Sequence, residues 1–183
     1  MDCKDLIDLE KDHLERIEEL FEKKKNELIE AWNKDGVNAY IGFTKKYLNK
    51  VVEDYDAGKI DNEDAENIGN DIKEAAKKCV EIRKEKIKNN EYFWTEETYG
   101  PLTEVLIKYD IVPPRGSVDM CDDSFLYFSK HESDKITNAR REYEDVLERK
   151  KEIEEYISGI ELKTNRKTDE ERIKRKLDEV LNF

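Results

Sequence analysis

The sequence predicts an all-α protein, an elongated helical bundle of two long helices joined by short connecting helices. Three observations carry this. Apolar residues recur at three- and four-residue spacing over long stretches. Breakers are sparse, with three Pro and seven Gly in 183 residues. No Gly-rich linker, low-complexity tract or repeat of 20–50 residues interrupts the pattern. A core is affordable but thin. Leu, Ile, Val and Phe supply 44 residues against a charged share of 44%, just above the roughly one-fifth floor below which highly charged chains stay disordered.

The first helix is expected over residues 3–34. Ile7, Leu14, Phe21 and Leu28 repeat every seven residues, flanked by Leu6, His13, Leu20, Ile17 and Trp32. At 1.5 Å per residue it would be about 48 Å long. Glu10 and Lys24 interrupt the stripe, which is wider than a two-stranded seam and suits a bundle. Leu14, Phe21 and Leu28 are expected to be buried against the second and third helices. Asp35-Gly36 is the expected stop, since Gly accepts the left-handed conformation at a helix end. A second helix follows over 37–55, ended by Ala57-Gly58-Lys59. Asp61 then caps a third over 62–89, with Ala65, Ile68, Ile72, Ala75, Ala76, Cys79, Ile82 and Ile87 inward and Asn89-Asn90 closing it. Short connections favour antiparallel neighbours, so residues 1–90 read as a three-helix up-down-up part.

Residues 91–132 form an irregular middle. Thr95 is a plausible cap after Tyr92-Phe93-Trp94, Pro101 opens a short helix over 101–109, and 111–124 reads as a loop. The apolar run 125–128 has the composition of a strand as well, but reads as a short helix leading into the next element. Residues 133–183 then hold a long helix to Ser158 and a C-terminal helix. In the long one Ile136, Ala139, Tyr143, Val146, Lys150, Ile153 and Ile157 form a seam. Lys150 occupies a core-type position, where its stem lies along the apolar stripe and its ammonium reaches water; an intramolecular partner is favoured over a second chain. Ser158-Gly159 ends this helix. Thr168 with Glu171 makes a capping box for the last one, whose apolar side is Ile173, Leu177, Val180 and Leu181. The three parts read as a single domain, 1–183.

The net charge of −12 argues against generic binding to nucleic acid or anionic membrane. No apolar run spans a bilayer, and the opening residues hold no apolar leader segment. Cys3, Cys79 and Cys121 are widely spaced, as free thiols of a cytoplasmic protein are. Gln is absent while Glu, Lys and Ile abound, one mark of a thermophile, although twelve Asn point the other way.

Candidate chemistry is thin. Glu10 and His13 share a helix face in an E-x-x-H spacing, but di-metal bundles need two such units, and His131 has Phe128 where the second carboxylate belongs. Asp119, Asp122 and Asp123 crowd Cys121, yet match no calcium loop and raise a thiol's pKa rather than activate it. No catalytic residue, metal or cofactor is therefore assigned. Two segments are locally basic at +4 each. One holds Lys77, Lys78, Arg83, Lys84, Lys86 and Lys88. The other holds Lys163, Arg166, Lys167, Arg172, Lys174, Arg175 and Lys176. Met in space, they would track a phosphate backbone; otherwise they complement helix C-termini and pair with acidic neighbours. Residues 53–74 are the counterpart at −7, a solubilising face, a dock for a basic partner or a mimic of a phosphate backbone toward a nucleic-acid-binding protein. The reading is a non-catalytic α-helical interaction or scaffold protein, monomer or homodimer, with a protein partner. The alternative is nucleic-acid binding through the two basic segments. A metal-dependent enzyme around Glu10, His13 and 119–123 is a minor alternative.

Overall fold

The computed structural model describes residues 3–93, 96–112 and 129–181. Side chains are described at 11–93, 97–112, 129–163, 165–168, 171, 172 and 175. The described residues are helical and contain no strand. Helix α1 runs Cys3–Thr44, α2 Asn49–Asp56, α3 Asn62–Lys88, α4 Gly100–Lys108 and α5 Asp134–Leu181, with a 3-10 turn at Glu96–Thr98 before α4. No helix among them is long and apolar enough to cross a membrane. The chain forms two compact units, one of residues 1–24 with 142–183, the other of 25–141.

Helix α1 does not stop at Asp35-Gly36. A Cβ at Gly36 would lie 2.8 Å from both Trp32 Cε3 and Val80 Cγ2, so this glycine lets α3 approach α1 and is not a helix terminator. The expected second helix is split as a consequence. Its first part belongs to α1, and the chain then tightens into three-residue bonds, Lys45 N to Gly42 O, Tyr47 N to Thr44 O and Leu48 N to Lys45 O. Such 3-10 turns commonly finish an α-helix. Only 49–56 remains as α2, and it buries no residue. The up-down-up arrangement of three comparable helices is therefore not formed.

Helix α3 follows its sequence closely. Asp61 accepts from Asp64 N at 2.9 Å, and Asp61 N donates back to Asp64 at 3.1 Å, a capping box in which two otherwise orphaned donors are satisfied. Ile68, Ile72, Ala75, Ala76, Cys79, Val80 and Ile87 are buried, while Ala65 and Ile82 are half-buried. Asn90, at φ 57, takes the left-handed conformation just beyond the helix. Helix α4 starts with Pro101 in its first turn and buries Leu102 and Leu106. Together α1, α3 and α4 enclose the core of the 25–141 unit, with Leu28, Trp32, Tyr40, Phe43, Ile87 and Ile136 buried. Ser133 begins α5, accepting from Ile136 N at 3.3 Å while donating to Asp35 at 2.6 Å.

In the other unit α1 and α5 pair antiparallel, residues 11, 18, 21 and 24 meeting 161, 150, 143 and 142. Phe21 is buried, its ring 5.2 Å between centroids from that of Tyr143 on α5. Leu14 is only half-buried, because two helices alone shield a narrow seam. Lys150 has the intramolecular partner the seam implied. Its ammonium stands 5.3 Å from the Phe21 ring centroid and 3.4 Å from Glu18. Helix α5 runs through Ser158-Gly159 and Thr168, where a stop and a new capping box were expected. One glycine costs about 1 kcal/mol inside a helix, too little to end a run this rich in Glu, Lys and Arg. The expected loop is described only at Ile111 and Val112, both buried. Thr95 and the short helix of 125–128 lie outside the described residues.

Candidate interaction surface

The two basic segments belong to different units, 77–88 to the 25–141 unit and 163–176 to the other. In 77–88 the cations are engaged within their own unit. Lys77 meets Glu74 at 2.5 Å, Lys84 meets Glu81 at 2.8 Å and Lys88 meets Glu85 at 2.6 Å. Lys86 joins Glu97 at 2.6 Å and Glu91 at 3.3 Å. Among the described residues, Lys78 alone of this set is exposed without an ion pair.

Arg83, the sixth member, is fully buried and presents nothing to a phosphate. Its place on the apolar face of α3 aims the guanidinium at α1 and the turn before α4. Nε donates to the Tyr40 hydroxyl at 3.0 Å and Nη2 to Thr98 Oγ1 at 3.1 Å. Tyr40 in turn donates to the Thr98 carbonyl at 2.7 Å. The Trp32, Tyr99 and Tyr40 rings stand 4.5, 5.4 and 5.5 Å from the guanidinium carbon, close enough for cation–π attraction in a water-poor site. Burial raises the Tyr40 and Tyr99 hydroxyls above the usual tyrosine range, with Arg83 opposing it. Burial also pushes the neighbouring Cys79 thiol up to about 11, which keeps it protonated and unreactive at neutral pH. The cluster ties three elements together and has no activated nucleophile.

Around His131 the chain is basic and close-packed. A Cβ at Gly42 would meet its Nδ1 at 3.0 Å, so the imidazole lies against α1 where no larger residue fits. Burial first, and then Lys45, Lys46 and Lys130, hold its pKa below the usual histidine range. The next residue, Glu132, has a wholly buried side chain that accepts from Arg140 at 3.3 Å. His13, by contrast, is exposed. The side chains of Cys3 and Glu10 and the whole of Asp119, Cys121, Asp122 and Asp123 are outside the described set. Among the described residues no three His, Cys, Asp or Glu are grouped to hold a metal.

The second basic segment is arranged differently. Beyond Ile160 every described side chain of α5 is exposed, at 161–163, 165–168, 171, 172 and 175. Lys163, Arg166, Lys167, Arg172 and Arg175 form no ion pair among the described residues; the side chains of Lys174 and Lys176 are not described. Just before this stretch Tyr156 is 53% exposed and Leu162 is 68% exposed. A shallow open hollow of about 370 Å³ lies beside Gly159, lined by Lys151, Glu154, Glu155, Ser158 and Leu162. Sequence reasoning passed over Tyr156 because it falls outside the seam. Its signal was there all the same, an aromatic seven residues before Lys163 and hence on the same helix face.

No family model, no curated protein and no solved structure matches this chain.

Proposed function

We propose that this chain is a non-catalytic α-helical interaction protein of the cytoplasm, and that the part of α5 beyond Ile160 is the element it presents to its partner. One observation carries the reading: in that stretch every described side chain faces solvent. Side chains that face solvent gain nothing from burial in their own chain, and a dozen or so residues of isolated helix are marginal in water. Such a segment becomes worth ordering when something binds it. The buried, protonated Cys79 fits a reducing compartment. The engaged cations of 77–88 leave α3 a supporting rather than a contacting role.

Photo-crosslinking in the source cells tests this. With a photoreactive residue replacing Leu162, the expected result is a discrete product of higher mass. The same residue at exposed Lys73 on α3 gives none. Equal, diffuse labelling at both positions refutes the reading.

A further inference from the structure

One face of α5 carries more than charge. At 100° per residue, Tyr156, Gly159, Lys163, Arg166 and Lys167 fall within an arc of about 100°. That arc lies about 140° round the helix from the seam that Tyr143, Val146 and Ile157 make with α1. Exposed Glu152 lies within the arc one turn before Tyr156, and exposed Glu155 stands at its edge; position 170, a glutamate, shares the arc further on, followed by position 174, a lysine. Tyr156 is 53% exposed and makes no ring contact or hydrogen bond among the described residues. A Cβ at Gly159 would meet nothing within 4 Å, so the backbone there is open to a ligand. From Lys163 to Thr168 the sequence is Lys-Thr-Asn-Arg-Lys-Thr, three cations and three neutral hydrogen-bonding side chains with no anion.

Building on the reading of α5 as the presented element, we infer that this face binds a single-stranded nucleic acid. The aromatic ring stacks on a base and the three cations follow the backbone phosphates. Lys, Arg, Thr and Asn are the side chains that contact phosphate and sugar. An exposed aromatic beside a cationic track is how sequence-tolerant single-strand binders hold their ligand. A protein-docking helix would instead carry apolar anchors at three- and four-residue spacing, and this arc holds none from Gly159 to Lys167. The molecular charge of −12 does not forbid this. At physiological salt, charges more than about 8 Å away are largely screened, so Lys163, Arg166 and Lys167 set the field at their own end of the face.

Fluorescence anisotropy on the full chain tests it, with fluorescein-labelled 15-nucleotide oligo-dT and oligo-U and a labelled duplex as comparison, from 50 to 200 mM salt. The expected result is binding of single strands in preference to duplex, with log K falling against log salt at a slope of about −2 for three neutralised phosphates. K163Q/R166Q/K167Q removes that slope, and so does K163E/R166E/K167E. Tyr156→Ala weakens binding roughly ten- to a hundredfold with the slope intact, and Tyr156→Phe restores it. Lys77→Gln with Lys88→Gln, at cations already paired, changes nothing. Circular dichroism confirms folding of each variant. Absence of binding at 50 mM salt, binding indifferent to the triple variants, or tighter binding of duplex overturns the inference. If Leu162 still crosslinks to a protein in those cases, the interaction reading stands and this inference alone falls.

Discussion

Arg83 offers the sharpest test of how the 25–141 unit is held. Replacing it with Ala removes two hydrogen bonds from a charged donor, to Tyr40 at 3.0 Å and to Thr98 at 3.1 Å. Each such bond is worth about 1.5–3 kcal/mol. It also removes the stacking over Trp32 at 4.5 Å, worth about 2 kcal/mol when desolvated, and leaves a void. Against these losses stands the cost of burying a guanidinium, several kcal/mol in real proteins. The net expectation for Arg83→Ala is a destabilisation of about 3–5 kcal/mol, dominated by the void and by Thr98 Oγ1 losing its donor. Urea unfolding followed by tryptophan emission suits the site, because Trp32 lies against the guanidinium. Tyr40→Phe should cost about 1–3 kcal/mol. In a double-mutant cycle the Arg83 and Tyr40 losses should fall short of additivity by about 1 kcal/mol or more. An Arg83→Ala variant within 1 kcal/mol of the wild type refutes the argument. So would a variant of unchanged stability that had lost nucleic-acid binding, since that would return Arg83 to the surface.

Gly36→Ala should destabilise by about 1–3 kcal/mol despite alanine's helix propensity, because the new methyl meets Trp32 and Val80 at 2.8 Å. Gly159→Ala, with open space around it, should stabilise by about 0.5–1 kcal/mol; thermal melts that rank the two the other way would undo both assignments. Lys150→Glu sets a carboxylate against Glu18 and Glu154 and removes the ammonium from the Phe21 face. A loss of about 1–2 kcal/mol is expected with no change of mass by light scattering, and dissociation of a dimer would contradict the intramolecular seam. His131, held neutral by burial and three lysines, contributes stability that is complete above the ordinary histidine pKa of about 6.5 and is lost as pH falls through its lower folded value. Melting temperature should therefore be level from pH 8 to about 7 and decline below, before the carboxylates titrate. A His131→Asn variant showing the same decline would assign it elsewhere.

The helical class, the α3 capping box, Pro101 at the head of α4 and the Lys150 seam were legible because each is a local rule with a local cause. The errors share another cause. Gly36 and Gly159 look alike to a sequence reader, as glycines after polar residues at the end of an apolar period. What separates them from true stops is a neighbour distant in sequence, Val80 for Gly36, or simply the surplus of good helix formers around Gly159. Arg83 was grouped with surface cations because it sits among Lys77, Lys84 and Lys88. Its burial depends on Trp32, Tyr40, Thr98 and Tyr99 arriving from other elements, which spacing along α3 does not encode. The exposed track on α5 was visible as composition. Which of the two basic segments remained unneutralised depended on the ion pairs that α3 makes, a property of side-chain geometry.

Cys79 gives the protein a built-in clock. With its thiol pushed up to about 11, only about one molecule in a thousand would carry a thiolate at pH 8, and the sulfur is covered on the inner face of α3. Alkylation in a chain whose Cys3 and Cys121 are replaced by Ser must therefore wait for α3 to part from its neighbours. Its rate, read against reagent concentration, measures how often that core opens under native conditions, without denaturant.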